Sequence, residues 1–483
     1  MSLQINPVTL KELRQIVRSR IVAAGLIGLL AIALVAVTIV LLNEDEPSAV
    51  STKYGTTVFH TIYILLCLLL LFALPYFVAI RMGAERSNEH LDLQFTTILK
   101  PRQFVDGKIA GAVVLVIFLI SATLPFMVLA HFLRGLDLTA ALISVVMLTM
   151  IVIATICAAL LLAILAPSRV ARGLLLLGGV QALPIMIGFT IAANYGLVSE
   201  GNFSLSNSSD FIVALVFCGI WLSLCLILRR GSIALISPAG SNRGPAFRWW
   251  VTGIWLFWGV IAVDYYYRKP TGDSLEAWGF LSVLAFALCS FISVALAPGY
   301  SRRVLARVSP HPFRRLMQFV FYSGAENGLV WALIMSLLTV IISAVGSAAV
   351  RPHSGFDDID SFTIFILTIL GYIWFARAIW LWWLARWISW RFAALAAIVL
   401  LLIGSAVPYV IGLGQGATGP LWVFGNVFAA FADDITEGMV GGAVLWILLA
   451  LLVNLPGLAR AFREFRPPAD MPPPPPLLPT KTD

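Results

Sequence analysis

Charge is scarce in this chain: Asp, Glu, Lys and Arg together make up 12% of its 483 residues, whereas apolar residues make up 60%. With a mean hydropathy of +0.95 it cannot cover a water-facing surface of that size, so a soluble fold is excluded and a bilayer is the solvent. Cysteine is equally sparse. All five, Cys67, Cys157, Cys218, Cys225 and Cys289, fall inside apolar runs with no paired spacing, which excludes a disulfide framework or a thiolate metal site and leaves small packing residues. A phosphate-cradling loop is missing as well. The single Gly-Lys pair, Gly107 and Lys108, is followed by Ile109 and lacks the earlier glycine of a Walker A sequence, so no nucleotide or other cofactor is expected on this chain. The first apolar run lacks a small-residue cleavage site and follows a polar lead of twenty residues, so it reads as a retained helix.

What the chain has in abundance is long apolar runs. Runs of about 20 residues, enough to cross about 30 Å of hydrocarbon as helix, recur twelve times. They lie near 21–42, 57–80, 109–132, 138–166, 173–196, 211–228, 249–267, 277–297, 327–347, 361–385, 392–413 and 439–459. Barrel strands would alternate over about ten residues, and these runs do not. The expected fold class is therefore an all-α polytopic membrane protein with about twelve transmembrane helices.

Basic residues set the orientation. With a cytoplasmic N-terminus, 26 of the 32 lysines and arginines fall in inner segments, five outside and one, Arg377, inside a span. Both termini are then expected to be cytoplasmic. The formal net charge of +8 is this inner-face bias spread over seven segments, so nucleic acid is not an expected partner; the bilayer is.

The lead NPVTLKELRQIVRSR reads as an interfacial helix. Asn6 suits the N-cap and Pro7 the first helical position, and Leu10, Leu13, Val17 and Ile21 form one apolar stripe, with Lys11, Glu12, Arg14 and Arg18 away from it. Between the second and third runs lies ERSNEHLDLQFTTILKPRQFVDGK, polar where its neighbours are not. Asn88 suits a cap, Glu89 and Asp92 a first turn, and Lys100 before Pro101 a helix end, after which a second helix runs into the third span. Such a segment, continuous with two membrane helices, has the form of a lever; a plain solvated connector has the same periodicity.

These two stretches resemble the start of a bacterial ABC transporter permease of the type-2 exporter class, over roughly the first 130 residues. The matching positions are Asn6, Pro7, Lys11, Glu12 and Leu13, then Glu85, Arg86, Leu91, Asp92, Leu93, Thr96, Thr97, Gly107 and Lys108. The sequence departs from the family pattern at Glu89 and His90, where Gly-Thr is usual, and at Lys100 and Pro101, where a Pro-Leu-Ser turn is common. The resemblance implies an elbow helix over 1–20, a coupling loop over 85–108 that docks a cytoplasmic ATPase, and ATP with Mg held by that partner.

A second, basic copy of the pattern follows about 220 residues later, in RRVLARVSPHPFRRLMQFVFYSGAENG. The expected organisation is two six-helix halves, 21–230 and 249–460, joined by a cytoplasmic linker over 231–248. A second coupling loop lies at 298–327 and a Pro-rich tail at 461–483. The expected docking residues are Glu85, Arg86, Asp92, Lys100, Arg102 and Lys108 in the first loop and Arg307, Arg314, Arg315 and Glu326 in the second. Two ATPase subunits, an exporter moving an unread substrate by alternating access, and a bacterial inner membrane complete the expectation; the chain itself is not read as an enzyme.

Two other classes compete. A lipid-linked glycosyltransferase would place paired acids in its first outer loop, where Glu44, Asp45 and Glu46 stand, but would also carry a large outer domain. An ion-coupled secondary transporter would want acids at mid-membrane, and the runs offer almost none. Arg377, about 12 Å from the inner end of its span, is read either as a snorkelling or paired residue or as part of a path. The tryptophans between Trp374 and Trp390 fit an interface belt better than a substrate cage. Two pairs of glycines four apart, Gly107 with Gly111 and Gly412 with Gly416, could allow tight helix contacts, a match also common by chance.

Overall fold

The computed structural model describes residues 6–42, 54–87, 99–133, 136–166, 186–198, 208–238, 241–269, 273–296, 299–350, 357–387 and 437–468, with short pieces between 168 and 184 and between 392 and 426. Among the described residues there is no strand, and ten helices are long and apolar enough to cross a membrane. Of the twelve expected spans, those near 173–196 and 392–413 fall largely outside the described residues; a shorter apolar helix, Met186–Val198, marks part of the former. The chain is a multi-pass helical membrane protein. It divides into two compact units, Met1–Ile233 and Ala234–Asp483.

The first unit begins with α1 (Pro7–Val17), whose start is set by Asn6: its side chain accepts from the Val8 N–H at 3.1 Å, and Pro7 needs no donor in the first turn. The long helices follow as α2 (Arg20–Leu42), α3 (Tyr54–Cys67), α4 (Leu74–Ser87), α5 (Pro101–Phe132) and α6 (Leu138–Leu165). A π-helical turn, Leu68–Ala73, joins α3 to α4 without a break. The helix resumes at Pro101, as the sequence predicts, and Asp137 caps α6 by accepting from the Thr139 N–H at 2.9 Å. Then come α7 (Met186–Val198) and α8 (Ser208–Ile236).

The core of this unit is Phe59, Ile62, Tyr63 and Leu66 of α3 against Leu115, Val116 and Leu119 of α5 and Leu148, Ile151 and Val152 of α6. In lipid these contacts gain little from leaving water, so packing and internal hydrogen bonds hold the helices together. α6 is 67% buried over its most apolar stretch and α2 only 17%, so α6 is the centre of the unit and α2 its rim.

The second unit runs through α9 (Gly244–Arg268), α10 (Asp273–Val294), the short α11 (Arg302–Leu305), α12 (Pro312–Phe321), α13 (Ala325–Val350), α14 (Asp357–Trp382) and α15 (Glu437–Glu464). Several polar side chains inside these helices donate within their own helix, as hydrocarbon favours: Ser282 donates to the Trp278 carbonyl at 2.6 Å, Ser336 to Ala332 at 2.7 Å and Thr368 to Ile364 at 2.7 Å. Pairing order in this unit parallels that of the first. There α2 packs on α3, α3 on α5 and α4 on α6; here α9 packs on α10, and α10 on both α13 and α14.

Candidate functional site

The basic segment between α10 and α13 folds into a cap. Ser301 closes the start of α11 by accepting from the Val304 N–H at 3.3 Å, and Pro312 opens α12, while the Gln318 side chain accepts from the Ser309 N–H at 2.7 Å and ties the turn between them. α12 is amphipathic in an unusual sense. Phe319 and Val320 are buried, but Phe313, Leu316 and Met317 stand exposed at 65%, 45% and 47%. The buried side rests on the end of α15, where Phe465 has no exposure and meets the rings of Phe319 at 5.5 Å, Tyr300 at 5.1 Å and Tyr322 at 5.3 Å. Such aromatic contacts are each worth about 0.5–1.5 kcal/mol beyond area burial.

A single arginine anchors the cap to the long helices. Arg248, in the first turns of α9, is 1% exposed and donates to the carbonyls of Val320 at 2.8 Å, of Tyr322, and of Gly324 at 3.1 Å, with Ser293 Oγ of α10 at 3.4 Å. The end of α12 and the turn before α13 leave carbonyls without helical partners, and the planar guanidinium fork supplies donors to them. Gly324 sits at φ +156°, where a Cβ would come within 2.3 Å of Asn327 Oδ1, so the turn tolerates no side chain. Asn327 closes the same junction: Nδ2 donates to the Phe319 carbonyl at 2.6 Å, and Oδ1 accepts from the Tyr300 hydroxyl at 2.5 Å. Burial, with the nearby Glu326 carboxylate, raises the Tyr300 pKa, which keeps that hydroxyl a donor.

The predicted residues of the second loop separate into two groups. Arg307 and Arg314 are exposed, as are Arg302 and Arg303; Arg315 is half-buried over the Phe462 ring at 5.1 Å. Glu326 does not face outward. Its Oε1 accepts from Arg377 Nε at 3.1 Å, Arg377 is 3% exposed, and the guanidinium lies 4.9 Å above the Trp380 ring. Arg377 therefore does not snorkel: it is one half of a buried pair between α13 and α14. Trp382, Trp383 and Trp387 just beyond it are exposed, as an interface belt requires, whereas Trp374 and Trp380 are core.

In the first unit, α1 lies directly on α5. A Cβ on Gly107 would come within 2.6 Å of Val8 Cβ and one on Gly111 within 2.8 Å of Glu12 Cβ, so the glycine pair admits the close approach of α1. Asn6 Nδ2 donates to the Gln103 carbonyl at 2.6 Å and fixes the register. Glu12 then points at α5 and is buried, on the side of α1 away from the apolar stripe. Lys108 Nζ, 5% exposed, lies 2.8 Å from Glu12 and 2.9 Å from Glu85; Lys11 reaches Glu85 at 3.1 Å and Arg81 reaches Glu12 at 3.2 Å. The apolar residues Leu10 and Val17 of the predicted stripe face away from the protein, at 41% and 83% exposure.

Glu85 and Lys108, predicted as docking residues, are thus members of this internal network. Lys100 is exposed at the start of α5, where its N–H donates to Gln103 Oε1 at 3.0 Å, and Arg102 is exposed beside Asp106 at 3.4 Å. Asp106 also takes a bidentate contact from Arg229 of α8, at 2.6 and 2.7 Å. Asp92, the segment 88–98, the Arg86 side chain and the acids Glu44, Asp45 and Glu46 lie outside the described residues. Among the described residues, no group of three His, Cys, Asp or Glu side chains could hold a metal ion.

Hydropathy reading missed Glu12, Arg248, Asn327, Tyr300 and the Asp106–Arg229 pair as structural anchors. The one signal present was a charge standing immediately before an apolar run, as Arg248 and Lys108 do. Set against protein-family models, curated proteins and solved structures, the chain matches none.

Proposed function

We propose that the chain is the permease subunit of an ATP-driven ABC transporter of the exporter kind. Its helices would alternate access as soluble ATPase subunits, bound in trans on the basic side of the membrane, dimerise and separate. One observation supports this reading most: the α11–α12 cap exposes Phe313, Leu316 and Met317, and exposes Arg302, Arg303, Arg307 and Arg314 as well, on a base held to the long helices by Arg248 and Asn327. An amphipathic helix with a free apolar face and flanking cations suits the groove of an acidic soluble partner, and its rigid base lets a push on α12 reach α9, α10 and α13. The resemblance of the first 130 residues points the same way, and the parallel pairing order of the two units supports two related halves. ATP and Mg belong to the partner in this reading, and the membrane is the bacterial inner membrane.

The test is isolation of the chain from its own membranes in mild detergent. Phosphate-binding subunits with a Walker A sequence should co-purify and hydrolyse ATP. Changing Phe313 and Leu316 to Asp should strip the subunit bound at α12 without lowering the yield of the chain. An unaltered chain that comes away alone, or a substituted chain that keeps its full complement of subunits, would overturn the proposal.

A further inference from the structure

We propose that the second unit holds one phospholipid with a primary-amine headgroup, one acyl chain in a furrow between α9 and α13 and the headgroup on the Asp264–Arg268 pair. α9 packs mainly on α10 and only lightly on α13, which leaves a cavity of about 350 Å³, within the range of small-molecule pockets. Trp255 of α9 and Trp278 of α10, both buried, form its floor, with ring centroids 5.4 Å apart. Gly259 lets Trp278 lie there, since a Cβ on it would come within 2.7 Å of the indole ring. Both indole N–H groups are spent inside the protein: Trp255 Nε1 donates to Thr339 Oγ1 at 2.9 Å and Trp278 Nε1 to the Trp255 carbonyl at 3.2 Å. The floor is thereby fixed in place and offers apolar ring surface, which suits a hydrocarbon chain.

Length and level identify the occupant. From Trp255 near the middle of α9 to Asp264 near its end is nine residues, about 13 Å of helix, and the hydrocarbon of one leaflet is half of about 30 Å. The furrow thus runs from mid-membrane to the surface opposite the Arg248 cap, as one acyl chain does. Leu256 and Val260 edge it at 57% and 64% exposure, so it opens sideways to lipid. At its mouth stands Asp264, 60% exposed and 3.0 Å from Arg268 Nε. Tyr265 and Tyr267 are exposed on the same turn, as aromatic side chains are at headgroup level. An exposed pair one turn apart is weak and opens at small cost. A zwitterionic headgroup then matches it charge for charge, its phosphate on the Arg268 fork and its ammonium on the Asp264 carboxylate. The site stands independently of the transport reading.

Native mass spectrometry of the full chain, titrated with phosphatidylethanolamine and with phosphatidylcholine of identical acyl chains, tests it, because the trimethylated amine keeps its charge but loses every N–H donor. One phosphatidylethanolamine should bind more tightly than phosphatidylcholine by about fivefold, the worth of a charged contact at an exposed site. D264N should remove that preference while chain binding persists. V260W, at an exposed position on the edge of the furrow, should fill it and weaken binding of both lipids. Equal affinity of the native chain for the two lipids, or V260W binding phosphatidylethanolamine as the native chain does, would overturn the proposal. So would a dimer of chains that V260W splits, which would put a second copy in the furrow.

Discussion

Lys108 is buried beside two carboxylates, and Glu12 beside two cations, so each of these two charges is held by more than one partner. Taking one partner from a buried pair costs about 3–5 kcal/mol, because it strands the other charge, whereas removing both together costs much less. Lys108→Met and Glu12→Leu should therefore each lower the unfolding free energy in detergent by about that amount, and the double variant should lose less than the sum. Additive losses in a double-mutant cycle would show that the two do not act as a pair. Arg248 poses a different residue-scale question, since it faces carbonyls and a hydroxyl and no carboxylate. Arg248→Lys keeps the charge but loses the planar fork, and should cost about 2–3 kcal/mol, the worth of one or two charged hydrogen bonds. A thermal midpoint unchanged by that substitution would remove Arg248 as the anchor of the cap.

Among elements, α1 and α12 use their apolar faces in opposite ways. α1 turns Val8 and Glu12 to the protein and Leu10 and Val17 away, and the glycines of α5 set how close it lies. Gly107→Leu has no room against Val8, so α1 should lift from α5; a cysteine introduced at Val8 would then react with a soluble maleimide much faster than in the unaltered background. An unchanged labelling rate would mean that Gly107 does not set this contact. Helix positions were legible in the sequence because length and local chemistry encode them: Asn6 with Pro7, Asp137 and Pro101 mark starts by satisfying or sparing backbone donors. The partners of Glu12, Asp106 and Glu326 were not legible, because they sit 96, 123 and 51 residues away and only packing brings them together. For that reason polarity alone ranked Lys108 and Glu326 with the surface charges Arg102, Arg307 and Arg314, although the structure buries Lys108 and turns the half-buried Glu326 to Arg377.

At the scale of the whole molecule, the two units share an order of helix pairing yet end differently on their basic side. The first carries α1 locked by an ion network, and the second carries the α11–α12 cap locked by Arg248. If each unit receives one ATPase subunit, the two sites are chemically unlike and should be separable by mutation. Native mass of the complex from its own membranes should then give two ATPase subunits per chain, and Arg302→Glu with Arg314→Glu should reduce this to one, since charge reversal at a rim weakens a complementary contact while leaving the other site untouched. Loss of both subunits together would mean that they bind only as a preformed pair across both units. A complex of two chains with two ATPase subunits would instead assign one docking surface to each chain, and the parallel between the units would then be one of architecture without a shared docking role.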